Sequence, residues 1–162
     1  METYYNVLFL LIIMATLEQQ LRKSQSITPE KVSQQLFDFI RSIESELVEM
    51  NRKQLNQDSN DIYGDAIGFY SKATEIITRG SKKAGEPFDA KDTGDFLGGL
   101  YAKIQGGDLV FGSKDPKTRI ILNSDNWLSK DLFGLSDENL KALIEDRLKP
   151  FVQQLYRKAL EI

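Results

Sequence analysis

The sequence predicts an α+β fold in which a long N-terminal helix and a kinked C-terminal helix pack on a small antiparallel β-sheet. Apolar residues recur at helical spacing from Val32 to Met50 and again from Leu140 to Leu160. Between these stretches, two short alternating segments flank the pair Gly106-Gly107, a pattern typical of a β-hairpin. The 162 residues are enough for one ordinary domain, which we expect to span residues 28–162.

Residues 1–27 are expected to form an N-terminal arm. The apolar run Val7–Met14 is far shorter than the roughly 20 residues of a membrane-spanning helix. It is also a poor signal peptide, because Glu2 precedes it and no Lys or Arg does. Three interpretations stay open for this run: a strand or arm packed on a partner, a short interfacial anchor, or translation that begins at Met14.

The long helix is predicted to begin after Thr28. The Thr28 hydroxyl can accept a hydrogen bond as N-cap, and Pro29 suits the first helical position because its missing N–H costs nothing there. The apolar stripe continues to Leu55. A single helix over residues 28–55 would be about 40 Å long.

The region after this helix is harder to interpret. Ile67–Tyr70 and Thr74–Thr78 have strand-like composition without a clean alternation. Arg79–Pro87 is predicted to be a mobile, solvated, basic loop. Such a loop could become ordered when the protein assembles, so its basic residues are candidate interface residues: Arg79, Lys82 and Lys83.

The hairpin has a defined register. If Gly106-Gly107 forms a two-residue turn, Ile104 pairs with Leu109 and Ala102 pairs with Phe111. That register places the apolar residues on one face of the sheet. Asp115-Pro116 is interpreted as a turn, and Thr118–Leu122 as a third strand.

The last helix is predicted to begin after Ser136, which can act as its N-cap. Pro150 removes one hydrogen bond and clashes with the preceding turn, so we expect a kink near Lys149. The segment before this helix has no regular pattern. A partner contact is predicted there for Trp127, Leu132 and Phe133, since tryptophan is enriched both in cores and at interfaces.

Composition restricts the chemistry. The chain has no His and no Cys, which excludes Ser-His-Asp and Cys-His nucleophiles and zinc sites built from these residues. The formal charge of −3 gives no electrostatic reason to expect nucleic-acid binding. Any enzyme here would therefore have to work with carboxylates, Lys, Tyr or a hard metal bound by carboxylates. No motif for a cofactor or a metal site stands out, so none is expected.

Asp92-Thr93-Gly94 is the one tripeptide that suggests an enzyme. A DTG supplies one of the paired carboxylates of homodimeric aspartic proteases, where it follows a buried apolar strand. Here it follows the polar segment Phe88–Lys91. The competing interpretation is structural, with Asp92 as the N-cap of a short turn and Asp95 three residues later.

Four short segments suggest a family. They are Asp92-Thr93-Gly94, Phe96-Leu97-Gly98-Gly99-Leu100, Val110-Phe111-Gly112-Ser113 and Phe133-Gly134-Leu135-Ser136-Asp137. In this arrangement the chain resembles the small tail-completion or neck proteins of tailed bacteriophages and prophages, with the last segment similar to related virion-morphogenesis proteins. Two departures stand out: Gly99 replaces the usual Ser before the first strand, and Lys117–Leu122 replaces an aromatic segment.

The resemblance implies a structural role in the virion. A protein of this family is assembled in the host cytoplasm, joins head to tail as a ring, and contacts itself and portal, neck or tail-tube proteins. It implies no catalysis, no specific nucleic acid and no membrane. Two other classes stay open: a homodimeric DTG-type aspartic protease, and an adaptor or binding module unrelated to virions.

Overall fold

The computed structural model describes residues 16–91, 93–123 and 130–161. Within these ranges the chain forms two compact units. The helical unit contains the described residues up to Leu36 and from Glu145 onward, and the mixed unit contains Phe37–Ile144. The boundary after Leu36 thus differs from the expected division between residues 27 and 28.

The N-terminal part of the helical unit consists of α1, which is helical over residues 16–25, and the start of α2 (Pro29–Ser42). The Thr28 hydroxyl accepts a hydrogen bond from the Lys31 N–H at 3.3 Å, which confirms the predicted start. Lys23 of α1 forms an ion pair with Glu161 at 2.6 Å.

A single long helix over residues 28–55 was the wrong prediction, because the helix is interrupted at Ile43. Helix α2 ends at Ser42, and α3 spans Glu44–Asn56. The Ser42 hydroxyl donates to the Phe39 carbonyl, and the Ile43 N–H bonds to Ile40 in the tighter i−3 pattern. The Ile43 side chain is buried at the break.

The β-hairpin has the predicted register. Strands β1 (Leu100–Gln105) and β2 (Asp108–Ser113) pair antiparallel, with Ile104 opposite Leu109 and Ala102 opposite Phe111. Helix α3 packs against β1. One core cluster joins this helix to the start of β1, to the segment before β1 and to the turn before the C-terminal helix. Its buried residues are Leu55, Ala90, Leu97, Leu100 and Leu132. The α+β class is thereby confirmed.

The third strand was also a wrong prediction, because residues Lys117–Asn123 form helix α6. The Asp115 carboxylate accepts a hydrogen bond from the Lys117 N–H at 2.9 Å. Asp115-Pro116 therefore starts a helix, with the proline at a position where its missing N–H costs nothing. This local cap outweighs the strand propensity of the β-branched residues that follow.

The region between α3 and β1 contains two more short helices. Thr74–Thr78, strand-like in composition, lies mostly in helix α4 (Lys72–Ile77), which Ser71 caps by accepting from the Thr74 N–H. Helix α5 spans Asp95–Gly98. Gly94, in a left-handed conformation, occupies its N-cap position.

The C-terminal helix bends where the sequence predicts. A 3₁₀ turn at Lys130–Leu132 precedes α7 (Asp137–Leu143), and Ser136 caps α7 by accepting from the Asn139 N–H. A π-helical segment, Ile144–Leu148, then leads into α8 (Lys149–Leu160). The wider turn lies directly before Pro150, which cannot fit a regular α-helical turn, and this confirms the kink. Across the described ranges, no helix combines the length and apolar character that crossing a bilayer requires.

Candidate functional site

The centre of the mixed unit contains two buried polar side chains of α3. Asn51 is 0% exposed and donates from Nδ2 to the carbonyls of Leu132 at 3.0 Å and Gly134 at 2.7 Å. Gln54 is 1% exposed, and its Oε1 accepts from the Ser136 N–H at 2.8 Å. These side-chain amides attach the Phe133–Ser136 segment to α3 through hydrogen bonds to its backbone groups.

Three of the four short segments singled out in the sequence, those that contain Phe96, Ser113 and Phe133, contact one another in this unit. The Thr93 hydroxyl donates to the Asp95 carboxylate at 2.6 Å at the start of α5. The Ser113 hydroxyl donates to the Phe96 carbonyl at 2.9 Å, which ties the end of β2 to α5. Gly99 lies so close that a Cβ atom there would stand 2.8 Å from the Ser113 Oγ.

The fourth segment completes the same cluster. The ring centroids of Phe133 and Phe96 are 5.9 Å apart. Gly134 has φ of 149°, a conformation that favours glycine, and a Cβ there would lie 2.9 Å from Ile62. Leu135 is half-buried, and Ser136 caps α7. These residues therefore serve packing and backbone geometry.

A polar network lies beside this cluster. Lys82 donates from Nζ to the Asp89 carboxylate at 2.6 and 2.8 Å, to the Tyr70 hydroxyl at 2.7 Å and to the Lys91 carbonyl. Tyr70 in turn donates to Asp89. The Lys82 side chain is 19% exposed, so it points inward, contrary to the expectation of a solvated loop.

The pKa values of this network follow from its hydrogen bonds. Burial alone would raise the pKa of Asp89, but bonds from Lys82, Tyr70 and the Lys91 N–H outweigh it and hold that pKa below its usual value. Burial alone would lower the pKa of Lys82, yet its bonds to Asp89 and Tyr70 raise it. Burial, followed by the bond to Asp89, raises the pKa of Tyr70. All three groups therefore hold their ordinary neutral-pH charges.

A cavity of about 260 Å³ lies between this network and the DTG segment. It brings together Lys82, Thr93, Gly94 and Leu132, four residues that the sequence analysis selected for separate reasons. The remaining lining residues come from α4, α5, the start of α6 and the segments next to these helices: Tyr70, Thr74, Thr78, Phe88, Ala90, Lys91, Phe96, Asp115 and Lys117.

The candidate interface residues have different surroundings. Arg79 and Lys83 are exposed, as a contact with a partner would require. Leu132 is 3% exposed and belongs to the core, so its predicted role at an interface is wrong. Trp127 and Asp92 lie outside the described residues, and the predictions made for them stay predictions.

Sequence reasoning missed the buried polar residues. Asn51 and Gln54 stand among polar residues of α3, and their residue types do not separate them from solvated neighbours. Tyr70 and Asp89 are 19 residues apart, and only the tertiary fold brings them together. One signal could have revealed Asn51 and Gln54: their spacing puts both on the apolar side of the helix.

Within the described ranges, no group of three or more acidic side chains converges as metal ligands. No family model, curated protein or solved structure matches this chain. The function must therefore be argued from the surfaces and cavities of the molecule.

Proposed function

We propose that this protein is a non-enzymatic structural component of the neck or tail-completion region of a tailed bacteriophage, and that it joins head to tail by assembling into a ring. Its working surface is then a set of contacts between subunits. The observation on which this proposal depends is the incomplete burial of the helical unit.

No described residue of the helical unit is buried. Its helices nevertheless have apolar stripes, and the α8 residues Phe151, Val152 and Leu155 are only half-buried. On α1, Leu17 and Leu21 are 64% and 57% exposed and stand one helical turn apart. Burying one leucine side chain contributes about 1.5–3 kcal/mol. A partner that covers these faces would therefore stabilise them substantially.

The mixed unit offers a second exposed apolar site. Ile76 and Ile77 at the end of α4 are 77% and 80% exposed, and the exposed basic residues Arg79 and Lys83 follow them. A closed ring is built from two different surfaces that complement each other in neighbouring subunits. Two exposed apolar sites with different surroundings satisfy that requirement.

The packing of three of the four phage-like segments supports the same proposal. Ser113 bonds to Phe96, the rings of Phe96 and Phe133 are in contact, and Asn51 holds Gly134. In a protease the DTG would serve a catalytic carboxylate, whereas here Thr93 and Gly94 lead into a short helix inside a structural cluster. The formal charge of −3 also suits a ring through which DNA passes without being held.

The test is assembly of the full chain, measured by mass photometry and negative-stain electron microscopy over a range of concentrations. We expect closed rings with a central opening. The variants Leu17→Glu/Leu21→Glu and Ile76→Glu/Ile77→Glu place charges in the two exposed sites. Each should raise the protein concentration needed for assembly at least about tenfold.

A matched control carries the same added charge at exposed polar positions of α8. Gln153→Glu/Gln154→Glu should assemble like the unaltered protein. A monomer at all concentrations would overturn the proposal and favour an adaptor. A dimer that cleaves peptides and loses that activity on Asp92→Asn would overturn it in favour of the protease.

A further inference from the structure

We propose that the cavity of the mixed unit is a binding site for a small molecule with a compact apolar body and a single anionic group. The cavity lies within one unit alone, so binding there does not depend on ring assembly. Three properties of the cavity support it: the nature of its walls, the charges at its margin and its size.

The hydroxyl groups and the Lys82 ammonium that line the cavity are already engaged with the protein. The Thr78 hydroxyl donates to the Thr74 carbonyl at 2.8 Å, and the Thr93 hydroxyl donates to Asp95. The Lys82 ammonium has more acceptors than protons to donate. The walls that meet an occupant are therefore mainly the apolar side chains, namely Phe88, Ala90, Phe96 and Leu132. An apolar body suits such walls, because it requires no hydrogen bonds from them.

The charges at the margin favour an anion. Lys91 and Lys117 are exposed and line the cavity. Asp115 also lines it, but its carboxylate accepts from the Lys117 N–H as a helix cap. The Lys82 charge is balanced by Asp89. Two lysines against one aspartate leave one positive charge, which matches one carboxylate or sulfonate.

The size limits the ligand. Pockets for drug-sized molecules measure about 300–1,000 Å³, and this cavity of about 260 Å³ lies just below that range. An apolar body of up to three aromatic rings or a short alkyl chain fits this volume. The anionic group would remain at the margin, where the lysine ammonium groups reach solvent.

The test uses two probes of nearly the same shape. The anionic probe is 8-anilino-1-naphthalenesulfonate, and the neutral probe is N-phenyl-1-naphthylamine, which lacks the sulfonate. Fluorescence titration of the full chain should show one site for both probes. The anionic probe should bind about threefold to tenfold more tightly, as two exposed charge contacts allow.

Variants separate the apolar walls from the charged margin. Ala90→Leu fills the cavity and should weaken both probes about tenfold or more, whereas Ala73→Leu on the exposed side of α4 should change neither. Lys91→Gln/Lys117→Gln should remove the preference for the anionic probe. The control Lys114→Gln/Lys141→Gln removes the same charge outside the cavity and should preserve that preference.

The location of the bound probe gives a second readout that requires no variant. In ¹H–¹⁵N correlation spectra, titration with the sulfonate probe should shift the amides of Thr74, Ala90 and Gly94. Shifts confined to Leu17 and Leu21 would place the probe on the helical unit and overturn the proposal. Equal affinity for the two probes, or an Ala90→Leu protein that is folded and binds normally, would overturn it as well.

Discussion

Replacing Gln54 tests whether buried amides hold the mixed unit together. The Gln54 Oε1 accepts from the Ser136 N–H at 2.8 Å and from the Asn139 Nδ2 at 2.9 Å. Its Nε2 donates to the carbonyls of Asp61 at 3.1 Å and Gly134 at 3.4 Å. Gln54→Leu keeps a similar volume and removes all of these bonds.

The expected loss of stability depends on which hydrogen bonds remain to each former partner of Gln54. The buried Ser136 N–H loses its acceptor, which costs about 1–3 kcal/mol. The Gly134 carbonyl keeps Asn51, and the Asp61 carbonyl keeps the Gly64 N–H, so each loses only one bond of about 0.5–1.5 kcal/mol. We expect Gln54→Leu to lower the free energy of unfolding by about 2–6 kcal/mol, a large part of the usual 5–15 kcal/mol.

The assay is urea unfolding followed by circular dichroism. A second variant, Gln54→Glu, adds a pH dependence. Its carboxylate can accept from Ser136, but its other oxygen faces the carbonyls of Asp61 and Gly134, which raises the pKa of this carboxyl in the folded state. A raised folded pKa means that the folded protein binds the proton more tightly. The loss of stability caused by Gln54→Glu should therefore be largest at about pH 7.5 and should shrink towards about pH 5.

Two results would refute this reasoning. One is a Gln54→Leu protein whose free energy of unfolding lies within about 0.5 kcal/mol of the unaltered protein, the size of an ordinary surface effect. The other is a difference between Gln54→Glu and the unaltered protein that stays the same at both pH values. Gln35→Leu on the exposed side of α2 is the matched control and should have little effect.

Two further predictions concern the mixed unit. Asp89→Asn should lower the free energy of unfolding by about 1–3 kcal/mol at neutral pH, because it weakens the ion pair with Lys82. The folded pKa of Asp89 is depressed, so its contribution to stability is present above the ordinary carboxyl pKa and is lost as the pH falls through the folded pKa. The free energies of unfolding of the two proteins, measured by denaturant titration, should therefore converge at acidic pH. A difference between them that does not change with pH would contradict this prediction. Gly99→Ser restores the residue usual in the resembling family, but its Cβ would stand 3.0 Å from the Asp95 carbonyl oxygen and 3.1 Å from the Asp115 nitrogen. It should lower the melting temperature through a loss of about 1–3 kcal/mol, and an unchanged melting temperature would show that the backbone relaxes around the new side chain.

Local patterns in the sequence predicted the elements whose stability depends on near neighbours. Thr28 and Ser136 accept hydrogen bonds from residues three positions later, so a short stretch of sequence contains the whole cap. The glycine pair and the alternation around it likewise predicted the hairpin register, because a one-residue shift would reverse every side chain. Pro150 predicted the bend because its effect reaches only one helical turn.

The wrong predictions arose where two local signals competed. Lys117–Asn123 has β-branched residues that favour a strand, yet Asp115-Pro116 starts a helix there. The apolar stripe through α2 and α3 keeps its spacing, although Ser42 and Ile43 interrupt the hydrogen bonding. Spacing reports which residues face a core and does not report whether the backbone is continuous between them.

By itself, the sequence determined the helical caps, the hairpin, the bend and the exclusion of His and Cys chemistry, because each depends on residue types or on neighbours within a few positions. Only the tertiary structure decided that Lys82 turns inward to Asp89, that Leu132 is core, and that Gln54 holds the start of α7. The physical reason is that no helical or strand repeat produces these contacts, whether the partners are seven residues apart, as Lys82 and Asp89 are, or much farther. Such contacts join residues up to 85 positions apart, and their formation depends on how the intervening segments pack rather than on any local preference.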